Sequence, residues 1–133
     1  MLKSGDIIIS RMNTAELVGA TAYVWQAPSN TYLPDRLWRV ELNGNTNPIF
    51  LWQMLIQDTT KEQIRREASG TSGSMKNISK AGLLGIQVRK VPHELQYQFA
   101  SFVEQTEKTK LTIQSSLDKL EVLKKSLMQE YFG

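Results

Sequence analysis

Cysteine is absent from all 133 residues, so neither a disulfide scaffold nor a thiolate metal site is available. A single histidine, His93, excludes a multi-histidine metal site. Long apolar runs are scarce. The uncharged stretch at residues 42–57 includes Asn43, Gly44, Asn45 and Asn47, whereas a bilayer span needs ~20 mostly apolar residues. The start, Met1-Leu2-Lys3-Ser4-Gly5-Asp6, has no apolar run behind its charge and does not read as a secretory signal. These absences lead to the expectation of a cytoplasmic protein with no membrane contact, no metal and no cofactor.

Charge of one sign is also modest, with 16 Lys/Arg against 13 Asp/Glu. Its distribution is uneven. Residues 1–93 hold 11 basic and 7 acidic side chains, a net of +4, and residues 94–133 hold 5 and 6, a net of −1. A basic front permits a nucleic-acid partner without requiring one. With 41% hydrophobic residues, the chain has enough apolar material for one real core.

Three short segments read as strands: residues 6–10, 20–24 and 36–42. In the last, Trp38, Val40 and Leu42 alternate with Arg39 and Glu41, which puts one face on a core. Asn47-Pro48 opens a helix, with Asn as the cap and Pro at the first helical position. Its side chains are apolar most of the way round, so burial on all sides is expected. Residues 59–62, Thr-Thr-Lys-Glu, match a capping box that starts a second helix through about Ala68. Ser79 suits the cap of a single turn. Residues 86–91 alternate again and read as a last strand.

From Glu94 no Pro or Gly interrupts the chain before its last residue. One seam of a heptad pattern takes Phe99, Thr106, Ile113, Leu120 and Leu127; the other takes Val103, Lys110, Leu117, Lys124 and Tyr131. At ~1.5 Å per residue, a helix over residues 95–131 is roughly 55 Å long. Such a rod is too long for a chain of this size to cover, so its stripe is expected to meet another helix. Phe99, Val103, Ile113, Leu117, Leu120 and Leu127 are the expected interface. The expected fold is mixed α/β (α+β): a small twisted sheet with helices over residues 1–92, then a long coiled-coil-type helix over residues 93–133.

Catalytic patterns are weak. The tetrapeptide Asn47-Pro48-Ile49-Phe50 resembles the Asn-Pro-Pro-aromatic signature of amino-methyltransferases, but Ile49 replaces the second Pro and no glycine-rich loop for S-adenosylmethionine precedes it. A helix start explains both Asn and Pro. His93 lies between Pro92 and the long helix and reads as a helix-start residue. Asp6, Asp35 and Asp58 read as turn or cap residues. The aromatics Trp25, Tyr32, Trp38 and Trp52 read as packing rather than base-stacking groups.

A basic cluster is more informative. Lys61, Arg65, Arg66, Lys76 and Lys80 flank the Ser-Gly-Thr-Ser-Gly-Ser segment at residues 69–74, with Asn77 just beyond. Arg and Lys neutralise phosphates, while Arg and Asn also read base edges. The candidates for DNA contact are Arg11 and Asn13, expected on a loop, with Arg65, Arg66, Ser72, Ser74, Lys76 and Asn77. No catalytic residue is assigned.

Taken in order, these pieces resemble the specificity subunit of Type I restriction–modification enzymes (the HsdS family). The likeness rests on Gly5-Asp6-Ile7-Ile8-Ile9-Ser10, Phe50-Leu51-Trp52-Gln53-Met54-Leu55, Ser69-Gly70-Thr71 with Asn77-Ile78-Ser79, Glu94-Leu95-Gln96 before Phe99, and Leu120-Glu121-Val122-Leu123-Lys124-Lys125-Ser126-Leu127-Met128. The resemblance implies a non-catalytic subunit that recognises double-stranded DNA. It also implies modification and restriction subunits as partners, which carry the chemistry. Such subunits hold two recognition domains and two antiparallel spacer helices. This chain corresponds to part of one domain and one helix, as the C-terminal portion of such a subunit would. A homodimer, or pairing with another specificity subunit through the C-terminal helix, is then expected. The alternative is a protein-interaction module that docks through its helix and regulates assembly without binding DNA.

Overall fold

The chain turns at Gly5, whose φ of +92° favours glycine, and enters β1 (Ile7–Ser10). Three consecutive isoleucines favour extended backbone. β1 is the centre of a three-stranded antiparallel sheet, between β3 (Thr21–Tyr23) and β4 (Leu37–Val40). Ile7 stands opposite both Tyr23 and Val40, and Ile9 opposite Thr21 and Trp38. Paired residues share a face, so Ile7 and Ile9 point together into a core completed by Leu55. Tyr23, Val40, Leu51, Trp52 and Leu83 pack around it. On the opposite face, Ala22 and Arg39 flank Ile8 and are exposed. The computed structural model describes residues 1–70 and 75–133.

Helix α1 (Pro48–Leu55) starts as its residues dictate. Asn47 accepts a hydrogen bond from the Phe50 N–H at 3.1 Å, and Pro48 takes the first helical position. The expectation that α1 is buried all round is corrected: only Ile49 and Leu55 are fully buried, and Phe50, Leu51 and Met54 border an open groove.

α2 (Asp58–Glu67) follows almost at once. The capping box expected at residues 59–62 does not form. α1 gives out at Leu55, so the backbone turns back into helix two residues early, with Gln57 as an N-cap that makes no side-chain bond. Asp58 then falls in the first turn, where the helix dipole favours a carboxylate. Thr59, the cap of the expected box, lies exposed within the helix, and Thr60 beside it is buried.

A second, two-stranded antiparallel ladder joins β2 (Met12–Asn13) to β5 (Lys76–Asn77). Neither strand is apparent in the sequence, and Asn13 lies in β2 rather than on a loop. α3 (Lys80–Leu84) is capped by Ser79, which accepts from the Gly82 N–H at 3.0 Å. α2 packs against α3.

The strand expected at residues 86–91 is absent. The alternation is present, but no neighbouring strand supplies a ladder, so the segment forms neither strand, helix nor turn and stays unpaired. Beyond it α4 (His93–Phe132) runs for 40 residues, about 60 Å at ~1.5 Å per residue. His93 is its first residue. The chain divides into two compact units, Met1–Tyr97 and Gln98–Gly133. The fold is thus mixed α/β, with small antiparallel sheets, four helices among the described residues and a long C-terminal helix. Among the described residues no helix is long and apolar enough to cross a membrane.

Candidate nucleic-acid interface

Arg11 is the joint between the two ladders. Its N–H donates to the Arg36 carbonyl at 2.9 Å, beside β4, and its own carbonyl accepts from Ile78 N–H at 3.0 Å, beyond β5. The side chain crosses the Trp38 ring, with Cζ 5.5 Å from the ring centroid. Its Nε is buried and has no hydrogen-bond partner among the described residues. Trp38 therefore packs, as the sequence implied, and also holds a cation in place.

The β2–β5 ladder gathers the other candidates. Asn13 pairs directly with Lys76, and Met12 with Asn77. Asn77 is doubly held. On its other side it exchanges two backbone bonds of 2.9 Å with Ser69, the residue that leaves α2 after Ala68. This tie brings the end of α2 alongside the ladder. Arg65 and Arg66 occupy the last turn of α2, where cations are favourable to the helix dipole.

The local geometry differs among these side chains. Asn13 is largely committed: its amide donates to Ser10 Oγ at 3.3 Å, and its Oδ1 accepts from Thr14 N–H at 2.8 Å. It shapes the turn after β2 and retains one amide hydrogen for a ligand. Arg65 donates one N–H to the Glu16 carbonyl at 3.3 Å, which ties α2 to the segment after β2. Its guanidinium has five N–H groups, so four remain. Arg66 lies 3.8 Å from Glu62 one turn back, with 78% of its side chain exposed. Such an exposed pair is weak and exchanges readily for a phosphate. Lys76 is half-buried and Asn77 exposed. Ser72 and Ser74 lie outside the described residues.

Sequence reasoning found these cations but missed the ladder that groups them. Two-residue strands carry no periodicity. It also missed Glu16, whose contribution is a backbone carbonyl that leaves no trace in residue type.

The carboxylates named in the sequence remain scattered. Asp6 accepts from the Lys3 N–H at 2.8 Å and lies 3.9 Å from Arg39, and Asp58 starts α2. The other aromatics form a separate group: Tyr23 stacks on Trp52 at 5.7 Å, and Trp25 meets both edge-on. Tyr32 is exposed.

The unit Gln98–Gly133 presents an apolar stripe. Ile113, Leu117, Leu120 and Leu127 are each between 43% and 60% exposed, and Leu123 and Met128 lie beside them in the same range. Phe99 is 42% exposed. Val103 departs from the expected seam, because it is buried and lies outside the exposed stripe. Lys110, at a seam position, pairs with Glu107 at 3.5 Å.

The chain matches no protein-family model, and no curated protein matches it.

Proposed function

We propose that this chain is a DNA target-recognition module of the Type I specificity-subunit kind, acting in the cytoplasm within a complex whose modification and restriction subunits carry the chemistry. One observation supports the reading most: the β2–β5 ladder collects Arg11, Asn13, Lys76 and Asn77, and the Ser69–Asn77 bridge adds Arg65 and Arg66. Cations for phosphates and amides for base edges then gather around one small ladder, Asn13 with Lys76 on one face and Asn77 on the other. The resemblance described from the sequence supplies the class of partner. The stripe on α4 suits a second specificity helix, from a copy of this chain or from a longer subunit.

The test is duplex-DNA affinity as a function of salt, measured on the chain assembled with its modification subunit. Arg65→Ala/Arg66→Ala should weaken binding and flatten the plot of log K against log salt by about 2, since each phosphate contact contributes about 0.9. Unchanged affinity and slope reject this face.

A second reading is favoured by the exposed stripe alone. On it, the chain is a protein-interaction module that docks through α4 and regulates assembly. Absence of any salt-dependent DNA affinity in the assembled complex would select it.

A further inference from the structure

Beside α1 lies an open groove of about 770 Å³, on the unit Met1–Tyr97. Phe50, Leu51 and Met54 form its apolar wall, and the segment at residues 88–92 forms the other side. Arg89, Lys90 and His93 also line it, and no Asp or Glu does among the described residues.

That second side has an unusual backbone. Ile86 N–H donates to Leu83 O, Gln87 O accepts from Gln63 Nε2 at 3.5 Å, and Val91 O accepts from Gln96 Nε2 at 2.8 Å. Between these anchors, Val88, Arg89 and Lys90 make no backbone hydrogen bond among the described residues. All three are exposed. The segment has a strand's alternation, is anchored at both ends, and pairs with no strand among the described residues. An added strand would form a two-stranded ladder with it, through the same free main-chain groups that a sheet edge offers.

We propose that residues 88–90 form a β-addition site for an extended acidic peptide from a partner protein, which pairs with this backbone and sets apolar side chains against Phe50, Leu51 and Met54. Main-chain bonds supply the affinity, and the groove supplies selectivity for alternate apolar side chains. Arg89 and Lys90 select for carboxylates, because a basic peptide would meet like charge. The apolar wall and the unpaired edge favour a peptide over nucleic acid, which would use the cations alone. The site is separate from the β2–β5 platform and does not depend on the DNA reading.

The full chain is titrated with two fluorescein-labelled hexapeptides, one alternating valine and glutamate, the other valine and lysine. Anisotropy should show at least tenfold tighter binding of the glutamate peptide. Arg89→Glu/Lys90→Glu, both exposed, should reverse that order. Amide exchange at residues 88–90 should slow when the glutamate peptide is added. Val88→Pro removes one donor and should weaken binding, with circular dichroism checking that the helices persist. The proposal is overturned if neither peptide binds, if both bind equally, or if charge reversal changes nothing. It is equally overturned if a 20-base-pair duplex protects the same amides, or if the amides are already protected by self-association that Val88→Pro abolishes.

Discussion

Oε1 of Gln96 accepts a hydrogen bond from the Asn47 backbone N–H at 2.9 Å. The same amide's Nε2 donates to the Val91 carbonyl at 2.8 Å. One buried side chain in the first turns of α4 thus joins the start of α1 to the segment that leads into α4. It uses both ends of an amide, which neither a carboxylate nor an amine reproduces.

Gln96→Leu keeps the volume and removes both bonds. The Asn47 N–H and Val91 C=O then lose their partners, at about 1–3 kcal/mol for each group that stays away from water. Urea unfolding should show a lower midpoint with an unchanged slope.

Asn47 is a cap as well as Gln96's partner. Its bond to Gln96 is through the backbone and survives substitution, so a change at Asn47 isolates the cap. Asn47→Ala should cost about 1 kcal/mol, whereas Asn47→Ser, which keeps an acceptor, should cost a few tenths. Equal losses in thermal denaturation would contradict the capping account.

Gly19 has a φ of +81°. A methyl group there would also overlap Cγ2 of Ile64, which is fully buried. Gly19→Ala therefore combines backbone strain with overpacking and should destabilise the chain by more than about 2 kcal/mol. Gly44, with a φ of +84° and open space around it, meets only the strain. Gly44→Ala should cost visibly less in the same denaturation series.

Leu120 is 60% exposed on the stripe of α4. Leu120→Asp should abolish self-association or capture by a partner helix, because docking would bury an uncompensated charge among apolar groups. Light scattering, alone and with the modification subunit, reads this directly. An unchanged mass would exclude this stripe as the interface. Folding should be unaffected, since the site is open to water.

Much of the fold was legible. β1, β3 and β4 are rich in β-branched or aromatic residues, and β4 puts Arg39 outward as its alternation implied. Asn47-Pro48 and Ser79 start helices because their side chains act locally, on an N–H three residues away. The unbroken run after Glu94 is a helix for the same reason of local consistency. What failed depended on distant neighbours. Residues 86–91 have the pattern of a strand, and pattern alone does not bring a partner strand. β2 and β5 are the converse case, with no pattern and a partner 65 residues away, Met12 against Asn77. The candidate cations were visible as residue types. Their grouping was not, because the Ser69–Asn77 bridge and the Arg65–Glu16 bond both use backbone atoms. Val103 shows the same limit: a heptad position does not say whether a side chain is covered.

The fit of Ile64 to Gly19 has a consequence for α2 and its cations. The helix is located by close apolar packing and by an arginine bonded to a neutral carbonyl. Neither contact is a pairing of opposite charges, so added ions screen Arg65 and Arg66 without shifting the helix that carries them. The helix tip is a ruler whose marks keep their spacing in dilute and concentrated electrolyte. A straight double-logarithmic titration is then expected, and curvature would report on the nucleic acid and its ion atmosphere rather than on a protein that has changed shape.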